Sequence, residues 1–330
     1  MLKDYYQVRE WLEGFIPYTY SKQNLGLERI SYLLELLGNP EKKFKSILVG
    51  GTSGKGSTTF YIAKLLEKSL EVKGKDVNIV RGLGKRVKTP NPTTLNQTGF
   101  VTPKPFTKPK IGLHLSPHLV DIRERMQING KLISVKRLVI LVNEIRPLVE
   151  AMRSSKLGSP SYFEILVAAS FKYFADEKVD WAVVEVGLGG RLDATNVLQP
   201  LITLITNVGL DHTEILGNTV DAIAWEKAGI IKKATSVVTG ARGKALKVIE
   251  KVAKEKKARL IKVDTQLGIE HPKSVFKEYL IIYKDIGRYI GKLFVYQNFL
   301  LALNTVLALN FRPTKREVLQ VSKLALSGRF

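Results

Sequence analysis

The sequence predicts an α/β protein in which a mostly parallel β-sheet carries helices on both faces. Short β-branched runs alternate with longer segments of helical periodicity along most of the 330 residues. The first unit consists of the apolar run KSILVG (45–50), the glycine-rich segment GTSGKGS (51–57) and the helical segment TTFYIAKLLEKSL (58–70). Strands that alternate with helices are typical of parallel sheets, because the crossover helices cover both faces of the sheet. No internal repeat or clear linker divides the chain.

The other elements follow from the spacing of apolar residues. Residues 5–38 are predicted to be helical, and the segment LGLERISYLLELLG (25–38) is predicted to stop at Gly38. Further helices are predicted at 161–177, 219–232, 243–258, 298–309 and 314–326, and further strands at 76–80, 181–190, 201–206, 235–240 and 259–263. Residues 264–295 give no clear pattern, and a hairpin is one option for them.

Residues 81–110 differ from the rest of the chain. They contain seven lysines and arginines, five prolines and no acidic residue. This composition predicts an exposed basic loop. A loop of this length within a compact domain is usually functional or disordered.

Charge and composition limit the classes of partner and chemistry. The chain has 52 Lys+Arg and 30 Asp+Glu, which gives a formal net charge of +22. This excess favours an anionic partner such as a nucleotide, a nucleic acid, a polyacid or an anionic membrane surface. Cysteine is absent, so disulfides, thiolate zinc sites and a cysteine nucleophile are excluded. With no long apolar run and no signal-peptide core at its start, the sequence predicts a soluble cytoplasmic protein without a membrane span.

The glycine-rich segment 51–57 is the strongest local signal for chemistry. Glycines let backbone N–H groups close around phosphate oxygens, and the helix that follows presents its positive end. Lys55 would meet the β- and γ-phosphates, and the Ser57 hydroxyl would reach Mg²⁺. The segment departs from the usual P-loop pattern, because Val49 replaces its first glycine and Gly56 separates the lysine from the serine. The alternative is a glycine-rich turn with a surface lysine. The candidate phosphate-binding residues are Gly51, Thr52, Ser53, Gly54, Lys55, Gly56, Ser57 and Thr58.

Glu185 is the second candidate. It stands in the apolar run WAVVEVGLGG (181–190), and a carboxylate there is costly to bury unless it is paired or bound to metal. At the carboxyl end of a parallel strand it would face the phosphate crevice. Mg²⁺ prefers few protein ligands together with phosphates and water, so Glu185 could hold this ion. The alternative is a structural ion pair with Arg191.

Two later residues have weaker signals. His212 follows the predicted strand 201–206 and should lie at the same edge of the sheet, where Asp211 could orient its ring. A lone histidine is more often a hydrogen-bonded structural residue than a ligand. Lys227 lies in an otherwise apolar helix, and its spacing alone favours a lysine whose head is in water.

Taken together, these segments resemble the folylpolyglutamate synthase/dihydrofolate synthase family, a branch of the Mur-type ATP-dependent amide ligases. The matching segments are GTSGKGS, LSPHL…ERMQING, VVEVGLGGRLDATNV, GLDHTEILG, IAWEKAGII and the terminal SGRF. They occur in the family's order from about residue 25 to the last residue. The resemblance implies a P-loop NTPase-like Mur ligase central domain over 1–326, with residues 81–110 as a basic insertion.

The resemblance also implies a reaction. ATP phosphorylates a folate or pteroate carboxylate, and the amine of L-glutamate attacks the resulting acyl phosphate to give an amide, ADP and phosphate. Lys55 and the loop glycines would hold the phosphates, while Asn298 and Arg329 resemble residues that contact the nucleotide. Phosphoryl transfer of this kind depends mainly on positioning and charge neutralisation.

By the same resemblance, two Mg²⁺ ions are expected. Ser57, Ser116 and Glu185 look like ligands or neighbours of the first ion. His212 looks like a ligand of the second, and Lys227 matches a lysine that is carbamylated in the family. Lys55, His212 and Lys227 are therefore the residues that the resemblance connects with catalysis.

The resemblance implies less about the folate-binding region and about the C-terminal domain. Asp193 and Ala194 match positions near the pterin ring, and residues 81–110 are either a contact for the folate tail or only an insertion. Residues 327–330 match the start of the family's linker to a smaller C-terminal domain. The expectation is that this domain is absent from the sequence and could be a separate chain.

Two other functions remain in competition. A Mur-type ligase could use the same phosphate chemistry with another acid and another amine. A basic nucleic-acid-binding module would explain the charge, but the sequence contains no aromatic-interleaved basic motif of a known reader, so nucleic acid is not the expected partner.

Overall fold

The computed structural model of the chain describes residues 1–16, 25–73, 94–95, 101–102, 108–263 and 293–324. The strands in this part of the chain are β1 (Lys45–Gly50), β2 (Thr94–Leu95), β3 (Val101–Thr102), β4 (Ile111–His114), β5 (Gln127–Ile128), β6 (Lys131–Leu132), β7 (Trp181–Glu185), β8 (Ile202–Ile205), β9 (Ser236–Thr239) and β10 (Arg259–Lys262). The α-helices are α1 (Tyr5–Glu13), α2 (Glu28–Leu36), α3 (Lys55–Lys73), α4 (Val135–Met152), α5 (Tyr162–Asp176), α6 (Thr213–Leu216), α7 (Val220–Ala228), α8 (Gly243–Glu255), α9 (Leu293–Ala308) and α10 (Lys315–Leu324).

Eight of the strands form one sheet in the order β10-β9-β8-β1-β7-β4-β5-β6. The pairs from β10 to β4 are parallel, and β5 and β6 extend the sheet as antiparallel strands. β1 lies between β7 and β8, so strands from later in the chain pair with both of its edges and the strand order reverses at β1. Ligands of open α/β sheets bind where the strand order reverses in this way, at the carboxyl ends of the strands.

The two faces of the sheet carry separate apolar cores. Successive side chains of a strand point to opposite faces. In β1, Ile47 and Val49 pack with α3, α9 and α10, whereas Leu48 packs in the core formed with α1, α2, α4, α5, α7 and α8. All three side chains are fully buried. Burial on both faces explains why β1 is a continuous apolar run and not an alternating one.

Local capping fixes the start of α5, which packs on the face of the sheet that carries Leu48. The Ser161 hydroxyl accepts a hydrogen bond from the Glu164 N–H, and the Glu164 carboxylate accepts one from the Ser161 N–H at 2.7 Å. This reciprocal pair satisfies two N–H groups that a helix start leaves open.

The fold class predicted from the sequence is confirmed. The predicted strands at 45–50, 181–190, 201–206, 235–240 and 259–263 and the later helices are all present, with ends that differ by a few residues. Residues 5–38 contain α1 and α2, and Gly38 follows α2 with a φ of +77°. Missing from the prediction were the strands β2, β3, β4, β5 and β6 and the helices α4 and α6.

Several sequence-based predictions lie wholly or partly outside the described residues. Outside them are the predicted strand at 76–80, residues 264–292 of the uncertain region 264–295, and residues 17–24 of the predicted helical segment 5–38. Most of the basic segment 81–110 is also outside them, and within this segment β2 pairs with β3. Residues 327–330 are outside them as well. Within the described ranges, no helix combines the length and the apolarity that crossing a membrane needs.

Candidate active site

The register of the central strands brings the predicted site residues to one edge of the sheet. Val49 pairs with Glu185, and Gly50 pairs with Ile205. The glycine-rich loop after β1, the carboxylate at the end of β7 and the segment after β8 therefore start side by side. β4 ends beside β7, with His114 opposite Val184, so Ser116 follows at the same edge.

Two glycines of the loop have backbone conformations that other residues rarely adopt. Gly51 has a φ of +141° and Gly54 a φ of +75°. A Cβ atom on Gly51 would lie 1.9 Å from Oγ1 of Thr206, and one on Gly54 would lie 2.2 Å from Oδ1 of Asn298. The loop is thus packed closely against the segment after β8 and against α9, where Asn298 lies next to Gly54.

The loop has one half whose N–H groups are hydrogen-bonded within the described part of the chain and an open half whose N–H groups are not. The Thr52 N–H donates to the backbone oxygen of Asn207 at 3.0 Å, and the Ser53 N–H donates to Oδ1 of Asn207 at 3.1 Å. The Thr58 N–H donates to the oxygen of Gly54 at 3.0 Å.

The open half consists of the first three residues of α3. Among the described residues, no hydrogen bond occupies the N–H groups of Lys55, Gly56 and Ser57. These N–H groups lie at the positive end of a 19-residue helix, which is an arrangement that favours anions.

A cavity of about 480 Å³ lies in front of these N–H groups. Its lining consists of Gly54, Lys55, Gly56, Ser57, Leu115, Ser116, Pro117, Leu119, Glu124, Gln127 and Glu185. The cavity therefore combines the open half of the loop with the carboxylate of β7 and the segment after β4.

Glu185 is the buried acidic group of this cavity. Its side chain is 5% exposed, and its Oε2 accepts a hydrogen bond from the Ser116 N–H at 2.8 Å. A Cβ atom on Gly56 would lie 3.4 Å from the same oxygen, so the carboxylate is close to the start of α3. Burial raises the pKa of Glu185 to about 7, although the Ser116 N–H and the charge of Lys55 act in the opposite direction.

The alternative ion pair between Glu185 and Arg191 is not formed. Arg191 binds the carboxylate of Glu226 through two hydrogen bonds of 3.1 and 3.2 Å, and its guanidinium lies 4.6 Å from the ring centre of Trp225. Glu226 is 5% exposed, so this pair links the loop after β7 to α7. The pairing of Arg191 with Glu226, which is 35 residues away in the sequence, was not predicted.

Lys227 is buried, and the expectation of a lysine with its head in water is wrong. The residue is 2% exposed, and its Nζ donates to the oxygen of Gly51 at 3.0 Å. Burial and the charge of Lys55 lower the pKa of Lys227 to about 8, against the opposing effect of Asp211 and Asp193. With a pKa of about 8, a fraction of the Lys227 amine beside the glycine-rich loop is neutral near neutral pH.

His212 is half exposed and is not among the residues that line the cavity. It has a φ of +46° at the start of α6, and its side chain is 50% exposed. Its Nε2 is 3.6 Å from Oδ1 of Asp211, and its Nδ1 is 3.7 Å from Oε1 of Glu214. Neither contact is short enough to be a hydrogen bond that orients the ring.

Asp193 and Ala194 are buried at the turn after β7, with 4% exposure each. Oδ1 of Asp193 accepts hydrogen bonds from the Thr195 N–H and hydroxyl, and its Oδ2 accepts one from the Leu188 N–H at 2.8 Å. Burial raises the pKa of Asp193, whereas these hydrogen bonds lower it. Asp193 thus fixes the shape of the loop 187–195 from within. Arg329, the other predicted nucleotide contact, is outside the described residues.

The donor groups around the cavity fit one hard cation better than a cage of protein ligands. Glu185 offers a buried carboxylate, and Ser57 and Ser116 lie along the same cavity. Within the described part of the chain, no three His, Asp or Glu side chains are grouped as a metal site. One carboxylate with hydroxyl groups and room for phosphate is the environment in which proteins bind Mg²⁺.

Comparisons with known proteins agree with this fold. The Mur ligase middle domain family matches residues 136–300. The dihydrofolate synthase/folylpolyglutamate synthase of Bacillus subtilis is 37% identical over 251 residues, which are 76% of this chain and 49% of the relative. The crystal structure of folylpolyglutamate synthase from Thermotoga maritima has a TM-score of 0.69 at 29% identity and covers 96% of this chain and 65% of its own.

A structure of Mycobacterium tuberculosis folylpolyglutamate synthase complexed with ADP has a TM-score of 0.69 at 27% identity, with 97% of this chain and 65% of that chain covered. This chain spans about half the length of the Bacillus subtilis relative. The family match, the curated relative and the shared fold agree with one another: the chain belongs to the folylpolyglutamate synthase/dihydrofolate synthase family of Mur ligases.

Proposed function

We propose that the chain catalyses, or forms the ATP-using part of an enzyme that catalyses, the joining of L-glutamate to a folate or pteroate carboxylate. The observation that carries the proposal is the buried carboxylate of Glu185 at the cavity in front of the Lys55, Gly56 and Ser57 N–H groups. The names of the relatives supply the substrate class, and the ADP in the Mycobacterium tuberculosis structure supplies the nucleotide.

The phosphates of ATP would lie at the start of α3. The three open N–H groups and the ammonium of Lys55 provide positive charge there, and none of the N–H groups has to leave a partner within the described structure. Donors fixed in place in a partly enclosed site stabilise phosphate charge more effectively than water does, since they need no reorganisation during the reaction. Asn298 and Arg329 are proposed to contact the rest of the nucleotide.

Glu185, Ser57 and Ser116 would hold one Mg²⁺. This ion, when bound, would offset the negative charge of the phosphates. The raised pKa of Glu185 fits this role, because the carboxylate is buried without a cation in direct contact. A divalent ion would restore the charged form. The Ser116 N–H already fixes the direction of Oε2.

The reaction then consists of two displacements. A carboxylate oxygen of the folate or pteroate attacks the γ-phosphorus of ATP, the bond from phosphorus to the β–γ bridging oxygen breaks, and ADP leaves. The amine of glutamate attacks the acyl carbon, loses a proton, and phosphate leaves with the electron pair of the carbon–oxygen bond. The chain's own contribution is to position the phosphates and to offset their charge.

A second Mg²⁺ near His212 would need an oxygen ligand on the side of the glycine-rich loop. Lys227 could supply it as a carbamate, formed when its neutral amine adds to CO₂ and releases a proton. The lowered pKa of Lys227 favours the neutral amine that this step needs. Its hydrogen bond to the oxygen of Gly51 would place the group beside the phosphate loop.

The remaining parts of the site belong to the same proposal. Asp193 and Ala194 are proposed to shape the wall next to the pterin ring, and a further domain, on this chain or a separate one, would complete the glutamate site. A cytoplasmic location is proposed because the cysteine-free sequence fits a reducing compartment.

The test is formation of ADP with a panel of acids and amines. Tetrahydrofolate and dihydropteroate are each offered with glutamate, with and without the C-terminal domain of a relative added as a separate chain. We expect ADP formation that requires both the folate or pteroate acid and glutamate, and that Lys55→Ala abolishes. ADP formation with other acids only would favour a different Mur-type ligase, and no acid-dependent turnover under any condition would overturn the proposal.

A further inference from the structure

Two residues that directly follow β8 hold the half of the phosphate loop that does not face the cavity. Thr206 is buried, and its hydroxyl donates to the oxygen of Ser53 at 2.7 Å. Oδ1 of Asn207 accepts from the Ser53 N–H at 3.1 Å, and Nδ2 of Asn207 donates to the Ser53 hydroxyl at 3.0 Å. We call Thr206 and Asn207 the clamp.

The clamp is itself fixed to the sheet. The Thr206 N–H donates to the oxygen of Gly50 at 2.9 Å, which continues the pairing of β8 with β1. The oxygen of Asn207 accepts the Thr52 N–H at 3.0 Å. The loop is therefore bound to the neighbouring strand through both backbone and side-chain groups. The residues that make these contacts are 153 and 154 positions apart in the sequence.

The division of hydrogen bonds gives the clamp a consequence for binding. It occupies the N–H groups of Thr52 and Ser53, so these groups are not available to a ligand. The N–H groups of Lys55, Gly56 and Ser57 remain open, and these three residues line the cavity. A loop whose inactive half is already satisfied has fewer conformations to lose when phosphate binds.

We propose that Thr206 and Asn207 are positioning residues that pre-form the phosphate loop, so that ATP meets the N–H groups of Lys55–Ser57 in their binding arrangement. The proposal rests on the proposed function only in taking ATP as the ligand. The clamp acts through Ser53 and touches no phosphate. Its loss should therefore weaken binding of ATP before and during phosphoryl transfer by similar factors, which raises KM and leaves kcat nearly unchanged.

The experiment uses substitutions that keep the shape of Thr206. Thr206→Val replaces the hydroxyl by a methyl group, and Thr206→Ser keeps the hydroxyl. Loss of one hydrogen bond that orders the loop predicts an increase of about fivefold to tenfold in the dissociation constant of Mg²⁺–ATP for the valine variant. The serine variant should bind within about twofold of the parent, because the donor to Ser53 is retained.

Thr203, which lies in β8 three residues before Thr206, provides a matched control. It is fully buried, and within the described structure its hydroxyl has no hydrogen-bond partner. Thr203→Val makes the same chemical change three residues away and should leave ATP binding unchanged. Asn207→Ala removes the amide contacts to Ser53 and should weaken binding at least as much as Thr206→Val.

Calorimetric titration with Mg²⁺–ATP, thermal unfolding without nucleotide and, where turnover is measurable, KM and kcat separate the outcomes. A valine variant that unfolds at a lower temperature but binds ATP like the parent has lost only stability, and this result overturns the proposal. Weakened binding that serine restores supports the proposal even if folate-dependent turnover is absent, in which case the proposed function alone fails. A parent protein that does not bind ATP overturns both.

Discussion

Replacing Glu185 by glutamine is expected to stabilise the free protein at neutral and alkaline pH while removing its response to Mg²⁺–ATP. The carboxyl group has an ordinary pKa of 4.5 and a pKa of about 7 in the folded chain, mainly because it is buried. The side chain is 5% exposed, so solvent screens this effect little. A rise of that size corresponds to about 3 kcal/mol, since each pH unit is worth about 1.4 kcal/mol.

The sign follows from proton binding. Between pH 4.5 and about 7 the folded protein holds a proton on Glu185 that the unfolded chain has lost. The free energy of unfolding therefore falls as the pH rises through this interval and is level on either side of it, as far as this group is concerned. Glutamine cannot ionise, and its oxygen can still accept the Ser116 N–H, so the variant should gain on the parent by up to about 3 kcal/mol above pH 7.

Denaturant titrations of both proteins between pH 4 and about 8.5, without and with Mg²⁺–ATP, measure this difference. Ligand that binds only the folded state stabilises it by mass action, so the parent should gain stability from Mg²⁺–ATP and the glutamine variant should not. Glu35→Gln, at an exposed position on α2, is the control and should follow the parent. If the free energy of unfolding depends on pH in the same way in the parent and in the Glu185 variant, burial does not raise the pKa of Glu185. If Mg²⁺–ATP stabilises both proteins equally, Glu185 does not bind the ion.

Three other predictions concern different parts of the account. Gly54→Ala would put a methyl carbon 2.2 Å from Oδ1 of Asn298, at a backbone φ of +75° that alanine rarely adopts. We expect the unfolding free energy to fall by about 1–3 kcal/mol and calorimetry to show ATP binding at least about tenfold weaker. Protein kept in bicarbonate should show the added mass of one CO₂ by gentle intact-mass measurement, and Lys227→Met should not; an adduct that persists in the variant would place it elsewhere. Ser161→Ala removes the cap of α5 and should cost about 1 kcal/mol in a denaturant titration while ATP binding stays unchanged; weaker binding would show that α5 affects the site.

The central part of the fold was predictable because its signals are local. A buried parallel strand is a short apolar run, and the glycines after β1 mark a turn that only a few residue types can form. The register then follows from parallel pairing, and this places the loop and Glu185 at one edge. The helix α4 also carries a regular apolar spacing, and this pattern could have revealed it in spite of Pro147 within the helix.

The contacts that complete the site were not predictable in the same way. Arg191 and Glu226 are 35 residues apart, and Ser53 and Asn207 are 154 residues apart. Nothing in the local pattern of either segment shows which distant side chain satisfies it, since the sheet alone brings them together. The burial of Lys227 has the same origin: its neighbours in α7 do not show that the oxygen of Gly51 lies opposite its amine.

A crystal structure with a non-hydrolysable ATP analogue and Mn²⁺ in place of Mg²⁺ would show where the triphosphate and the metal ion bind. Mn²⁺ is bound by the same oxygen ligands, and its anomalous scattering locates the ion without reference to the coordinates. We expect phosphate oxygens at the N–H groups of Lys55, Gly56 and Ser57 and the ion in contact with Glu185. A triphosphate bound elsewhere on the chain, with no ion at Glu185, would contradict this expectation.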